Sequence, residues 1–178
     1  MFDLAMSGVQ MIAYHLSDEQ QIQVTIFGLM RALDYKEQWQ GKWEKRNYQT
    51  DKQQINFPQL VDQQADALGA ELAVARFFNQ PFDFGNNNFK NKADVGHNFE
   101  VKHTKWKDGS LILRDHDRKE DIAILVTGSM PKYYLCGWIP IAVARRPSQK
   151  RNDGAWWIGQ QDLHPMGNLV RSMYANQL

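Results

Sequence analysis

The chain has 178 residues, of which 43% are hydrophobic, and a net charge of +1 at pH 7. This length predicts one domain with its own core, while the near-neutral charge does not by itself indicate nucleic-acid binding. The single cysteine, Cys136, excludes a disulfide within the chain and a cysteine-rich zinc site. No Gly-Lys-Ser/Thr phosphate loop is present, which argues against an ATP-driven motor. The N-terminus lacks a signal-peptide pattern and no apolar run could span a membrane, so we expect a soluble, cytoplasmic protein with no membrane partner.

The first third of the chain predicts one helix and a polar connection. Ser17-Asp18-Glu19-Gln20 is typical of a capping box that opens a helix, whereas residues 9–14 fit either a short strand or more helix. Residues 38–57 are polar and little periodic, and we expect Trp39 and Trp43 to pack on the domain. We therefore interpret residues 1–178 as one domain, with residues 1–57 as an N-terminal helical extension and connection, and residues 58–166 as the core.

A second helix is predicted from Val61 to Ala75, because apolar residues recur there at helical spacing until Asn79 and Pro81 end the pattern. Gly69 and Ala70 would let this helix approach its neighbour closely. Glu71 lies on the flank of the apolar stripe. It either borders the sheet or is an ordinary solvated glutamate.

The segment from Asp94 to Ile139 predicts a sheet of four strands. Residues 99–104 and 122–126 have the composition of strands, and Tyr133 to Ile139 forms a further one stopped by Pro140. Asp108-Gly109 is typical of a hairpin turn, so we expect residues 111–113 to return beside the strand at 99–104. The fold class is α/β, with a central mixed sheet flanked by helices.

The strand at 99–104 carries the candidate site. Strand alternation places Glu100 and Lys102 on one face, and Asp94, six positions before Glu100, can fold back beside them through the turn at residues 96–98. Two carboxylates and a lysine that converge on one point suit a hard divalent cation and a charge stabiliser, which is the chemistry of phosphodiester hydrolysis. The alternative is an exposed strand edge with an ordinary ion pair.

These motifs resemble the PD-(D/E)XK nuclease superfamily, and more closely its small phage-type members. The resemblance covers roughly residues 61–166, with Ala93 where the superfamily has proline. The matching segments, in chain order, are Gly69-Ala70-Glu71, Asp94-Val95-Gly96, Glu100-Val101-Lys102-His103-Thr104, Leu125-Val126-Thr127-Gly128, Gly137-Trp138-Ile139 and Asp162-Leu163-His164-Pro165-Met166.

The resemblance implies a restriction-endonuclease-like fold and a Mg²⁺- or Mn²⁺-dependent nuclease, acting on DNA in the cytoplasm of an infected host cell. It implies that Asp94, Glu100 and the Val101 carbonyl bind the metal, that Glu71 completes the ligand shell, and that Lys102 orients the attacking water or stabilises the phosphoryl oxygens. RNA as substrate and a homodimer are left open. The alternatives are a catalytically inactive DNA-binding or host-interaction module on the same fold, and an interaction protein in which the acids and the lysine form only an ion-pair cluster.

The remaining polar residues carry weaker expectations. The lysine-rich stretch from Lys90 to Lys107 and a second basic run could follow a phosphate backbone on either side of the site; the second run consists of Arg145, Arg146, Lys150 and Arg151. The acidic loop at residues 115–121 is expected to be a solvated turn. His103 points to the face opposite Lys102, where we expect a hydrogen-bonded structural histidine.

Overall fold

The computed structural model describes residues 2–5, 11–38, 55–85 and 92–170. Seven strands and four α-helices lie in these ranges: β1 (Phe2–Ala5), β2 (Met11–His15), α1 (Asp18–Gln38), α2 (Phe57–Phe77), β3 (Phe99–Thr104), β4 (Leu111–Leu113), β5 (Ile122–Ser129), β6 (Lys132–Pro140), α3 (Ile141–Ala144), β7 (Trp156–Ile158) and α4 (Met166–Leu169). Two short 3-10 turns, Pro147–Gln149 and Gln160–Asp162, flank β7. No helix within the described ranges is long and apolar enough to cross a membrane.

A five-stranded mixed sheet with the order β1-β2-β6-β5-β3 forms the centre of the protein. Strand β3 runs parallel to β5, with Lys102 opposite Leu125, and the other neighbours are antiparallel. The mixed α/β class is therefore confirmed. Since β3 is the last strand of the order, its outer edge pairs with no other strand of this sheet in the described part of the chain.

The expected hairpin between β3 and β4 is wrong. Strand β4 pairs with β7 in a separate two-stranded sheet, with Leu111 opposite Ile158. Lys107 and Asp108 form a turn that Gly109 closes, because the Gly109 N–H donates to the Trp106 carbonyl at 3.0 Å. A turn signal specifies a local reversal but not the partner of the following strand, and Leu111 and Leu113 are buried by packing on the far face of the main sheet instead.

The N-terminal segment belongs to the core, which corrects its interpretation as a helical extension. Strand β2 pairs with β6, with Ile12 opposite Leu135, so the open choice at residues 9–14 is a strand from Met11 onwards. The capping box is confirmed, because Ser17 N–H donates to the Gln20 side chain at 2.9 Å and Gln20 N–H donates to Ser17 Oγ at 3.2 Å. Most of the connection at residues 38–57, with Trp39 and Trp43, lies outside the described residues.

Helix α2 covers one face of the sheet and ends where predicted. Asn56 and Gln59 form its capping box, and Asn79 just beyond it adopts a left-handed conformation with φ 53°. Gly69 allows the close approach that was expected, because a side chain there would overlap the ring of Tyr133. Residues such as Leu72, Phe99 and Val126 fill the core on this face.

The opposite face of the sheet holds a second apolar cluster. Leu125, Ile139 and Trp156 pack there with β4 and α3, and Cys136 is buried among them, as expected of a core cysteine. Glu100 and Lys102 belong to this face, since they lie opposite Ala123 and Leu125, whereas Val101 packs toward α2. Side chains from both faces of the sheet can therefore approach the open edge of β3.

Candidate metal and phosphodiester site

A tight reversal brings Asp94 back to strand β3. Val95 and Phe99 exchange two backbone hydrogen bonds of 3.1 Å, and Gly96 adopts φ 60°, which glycine tolerates readily. The carboxylate of Asp94 then accepts the Val101 N–H at 2.7 Å. The predicted turn therefore places Asp94 against the open edge of the strand.

The carbonyl of Val101 leaves the strand on the same side as its N–H. In an extended strand the N–H and C=O of one residue point in the same lateral direction. Because the N–H of Val101 points to Asp94, its carbonyl also points to the open edge rather than to β5. This orientation is the one that its expected role as a metal ligand requires.

Glu100 and Lys102 meet on the face opposite α2. The ammonium of Lys102 lies 2.7 Å from Glu100 Oε1, and both side chains are about one-fifth exposed. A second acid, Asp117, contacts the same ammonium at 2.8 Å. Burial by itself would lower the pKa of Lys102, but the two carboxylates raise it overall, so the lysine is held in its charged form.

Glu71 approaches the site from helix α2. Burial and then the neighbouring carboxylates of Glu71 and Glu100 raise the pKa of Asp94 well above its ordinary value, against the opposing effect of the Val101 N–H and Lys102. Glu71 and Glu100 are thus each within electrostatic reach of Asp94. Glu71 approaches Asp94 from the α2 side of the sheet and Glu100 from the opposite face.

Arg31 holds Glu71 in a bidentate ion pair. Its two terminal nitrogens lie 2.8 and 3.1 Å from the two carboxylate oxygens of Glu71. Arg31 reaches this point because α1 packs tightly on α2 at Gly28, where a side chain would lie 2.7 Å from the backbone of Ala65. The sequence alone did not reveal this role of Arg31, although its position seven residues after the buried Val24 marks it as a charged residue on the packed face of α1.

The donor set fits a sparsely coordinated hard cation. Mg²⁺ uses one or two carboxylates and keeps several waters, which Asp94 and Glu100 together with the Val101 carbonyl can satisfy. No three acidic, histidine or cysteine side chains in the described part of the chain are grouped closely enough to hold a metal by themselves. Glu71 faces Arg31, so a direct ligand role would require it to leave that ion pair, and a water-bridged role would not.

The acidic loop between β4 and β5 contains a second residue that sequence analysis missed. The expectation of a solvated turn is wrong for Asp117 and Asp121, which are buried. Asp117 contacts Lys102, and Asp121 forms an ion pair with Arg118 at 2.6 Å. Their alternation with arginines was the signal available in the sequence, because buried acids need a cation or a hydrogen-bond donor.

The structural role expected for His103 is confirmed. Its Nε2 lies 2.8 Å from the Gly128 carbonyl, and its ring contacts Tyr133 on the α2 face. Burial lowers its pKa. Thr104, at the end of the same strand, accepts the Trp106 N–H at 3.3 Å and closes the following turn.

The second basic run divides into two parts. Arg145 is half-buried and donates to the carbonyls of Arg114 and Asp117 at 2.5 and 2.6 Å, so part of its hydrogen-bonding capacity is used within the protein. Arg146, Lys150 and Arg151 are exposed, and the last two lie over the rings of Trp156 and Trp157. Their expected contact with a phosphate backbone stays a prediction.

Comparison with protein-family models, curated proteins and solved structures finds no match to this chain.

Proposed function

We propose that the protein is a Mg²⁺- or Mn²⁺-dependent nuclease that hydrolyses phosphodiester bonds in DNA. The observation that carries this proposal is the position of Asp94 at the open edge of β3, where it accepts the Val101 N–H and lies within electrostatic reach of Glu71, Glu100 and Lys102. The fold we propose is restriction-endonuclease-like, and the setting is phage-related, in the host cytoplasm. The mixed sheet supports this fold, with helix α2, which carries Glu71, packed on one face.

An excess of negative charge is the physical reason for expecting a cation. Arg31 pairs with Glu71 and Lys102 with Glu100, but Asp94 has no ion-pair partner among the described residues. Mutual repulsion among buried carboxylates is relieved by binding either a proton or a metal ion. Oxygen ligands favour a hard cation over zinc.

The chain's own residues would divide the work of hydrolysis. Asp94, Glu100 and the Val101 carbonyl would hold the cation, and Glu71 would support it directly or through water. A bound Mg²⁺ or Mn²⁺ supplies Lewis-acid polarisation of the phosphate and lowers the pKa of bound water. Lys102 presents a fixed positive charge to the phosphoryl oxygens, where negative charge grows in the transition state.

The test is a cleavage assay with pure protein on single- and double-stranded DNA and RNA. We expect cleavage of DNA in Mg²⁺ or Mn²⁺, none in EDTA, and none by Asp94→Asn. Asp62→Asn is a suitable control, because Asp62 is an exposed acid on α2. Failure of the wild type to cut any substrate in Mn²⁺ would contradict the nuclease proposal.

A second candidate is a non-catalytic DNA-binding or host-interaction module on the same fold. The ion pairs that already satisfy Glu71 and Glu100 favour it, because they stabilise the edge of β3 without a metal. Binding of Mn²⁺ or DNA without cleavage would support this module. An interaction protein in which the same residues form only an ion-pair cluster predicts no Mn²⁺ binding at all.

A further inference from the structure

Asp117 is placed to control the catalytic lysine of the proposed nuclease. Its side chain is only 2% exposed, and Oδ1 lies 2.8 Å from Lys102 Nζ. Its other oxygen, Oδ2, accepts the Arg114 N–H at 2.7 Å. Both oxygens of this buried acid are therefore used, one by the lysine and one by its own loop.

A residue that follows α3 holds the loop that carries Asp117 in place. Arg145, directly after α3, donates to the carbonyls of Arg114 and Asp117, and its guanidinium lies 5.2 Å from the ring centre of Trp156. Arginine presents several donors in one rigid plane, so it can tie two carbonyls of one turn together. The loop cannot turn Asp117 away from Lys102 without breaking these contacts.

Lys102 needs this second carboxylate because Glu100 has two roles. It pairs with the Lys102 ammonium in the structure, and it is a proposed ligand of the cation. A lysine side chain is a flexible four-carbon stem that ends in a point charge. In the structure its ammonium lies between Glu100 and Asp117. When Glu100 binds a cation, Asp117 is the remaining carboxylate that keeps the Lys102 ammonium in place.

We propose that Asp117 is a positioning residue that holds the Lys102 ammonium at the phosphate, and that Arg145 holds Asp117. This inference rests on the proposed nuclease function. A merely structural Asp117 would stabilise the loop between β4 and β5 and would have no specific link to Lys102.

A double-mutant cycle separates the two roles. Asp117→Asn keeps the shape of the side chain but replaces one carboxylate oxygen by an NH₂ group. This group would face either the Lys102 ammonium or the Arg114 N–H, which are themselves donors. We expect it to lower the single-turnover cleavage rate in saturating Mn²⁺ about ten- to a hundred-fold, as misplacement of a reacting group does, with little change in KM. In a Lys102→Ala background it should have no further effect, because the residue it positions is gone.

Asp121→Asn is the matched control. Asp121 is a buried acid of the same loop, but it pairs with Arg118. We expect its rate to equal that of the wild type. Arg145→Lys is a milder change that is expected to keep the protein folded. It should lower the cleavage rate several-fold in the wild-type background and leave the rate of Lys102→Ala unchanged. Equal losses in both backgrounds, or a wild-type rate for Asp117→Asn, would overturn the proposal.

A readout that does not depend on cleavage distinguishes this inference from the nuclease proposal. In ¹⁵N-labelled protein with saturating Mg²⁺, the ammonium signal of Lys102 should be observable in the wild type and in Asp121→Asn, and broadened beyond detection in Asp117→Asn. A wild type that never cuts would end the proposed function. An unchanged Lys102 signal in Asp117→Asn would reject the positioning role whether or not the protein cuts.

Discussion

Two polar clusters adjoin helix α2 and strand β3, and they differ in charge balance. In the first, Asp66 accepts from the Lys105 ammonium at 2.7 Å, from the Met130 N–H at 3.0 Å and from the Tyr133 hydroxyl at 3.4 Å. One carboxylate thus faces one cation and two neutral donors. The second cluster is the candidate site, where Asp94 lies beside two further carboxylates.

The difference separates a structural cluster from one that favours an added cation. The Asp66 cluster joins α2 to the turn between β5 and β6 and to the residue after β3, and its charges are balanced. In the candidate site, burial and repulsion raise the pKa of Asp94 and so disfavour its charged form, which an added cation would stabilise.

Asp94→Asn should abolish both Mn²⁺ binding and cleavage, because it removes a charged ligand. Asp66→Asn should leave Mn²⁺ binding unchanged while it destabilises the fold by about 1–3 kcal/mol, the usual loss when a buried hydrogen-bonded group is impaired. Calorimetric titration with Mn²⁺ and urea unfolding measure the two effects. Equal Mn²⁺ affinity in Asp94→Asn and the wild type would contradict the contrast.

Lys102→Ala should lower the cleavage rate roughly a hundred- to a thousand-fold, the usual range for a group that stabilises transition-state charge. Binding of Mn²⁺ and DNA should be largely kept, because the lysine acts mainly on the chemical step. Lys105→Ala is the matched control, since Lys105 is the cation of the Asp66 cluster. Single-turnover rates check this prediction, and a wild-type rate for Lys102→Ala would reject the catalytic role.

Glu71→Gln should weaken Mn²⁺ binding about tenfold without unfolding the protein, as is typical for residues that support a metal site from outside its direct ligands. Gln retains the shape of Glu71 and one acceptor for Arg31. Calorimetry gives the affinity, and a melting curve gives the stability. If Mn²⁺ affinity does not change, Glu71 is only the partner of Arg31.

Replacing Arg146 and Lys150 together by Gln should weaken DNA binding several-fold. Each phosphate contact that is lost should reduce the slope of log affinity against log salt by about one. Binding measured over a series of salt concentrations tests this. A slope equal to that of the wild type would place the DNA on another surface.

The pH dependence of stability should differ between the metal-free wild type and Asp94→Asn. The raised pKa of Asp94 means that the folded protein holds this proton more tightly than the unfolded chain does. Stability contributed by this group is therefore lost as pH rises from the ordinary carboxyl value of about 4 through the raised value. Melting temperatures in EDTA should show this decline in the wild type and a smaller one in Asp94→Asn, and Mn²⁺ at neutral pH should restore the wild type. Parallel pH profiles for the two proteins would contradict the repulsion in the site.

Local patterns were sufficient for much of the site. The alternation of β3 predicts that Glu100 and Lys102 share a face, and the turn at residues 96–98 predicts the return of Asp94. The helical period predicts α2 and the flank position of Glu71. These features depend on residues close together in the chain, where spacing alone determines which side chains are neighbours.

The long-range partners could not be predicted in this way. Arg31 is 40 residues from Glu71, and Asp117 is 15 residues from Lys102. A charged side chain in a polar stretch is normally solvated, and only the packing of the surrounding elements shows that it is buried and must be paired.

By itself, the sequence determined the helices α1 and α2, the buried strands β5 and β6, and the convergence of Asp94, Glu100 and Lys102, because periodicity, capping residues and a glycine turn act over a few residues. The tertiary structure alone decided that β3 lies at an edge, that β4 pairs with β7, and that Arg31, Asp117 and Arg145 surround the site. The reason is that strand order and buried ion pairs are set by which surfaces exclude water together, and that depends on the whole chain.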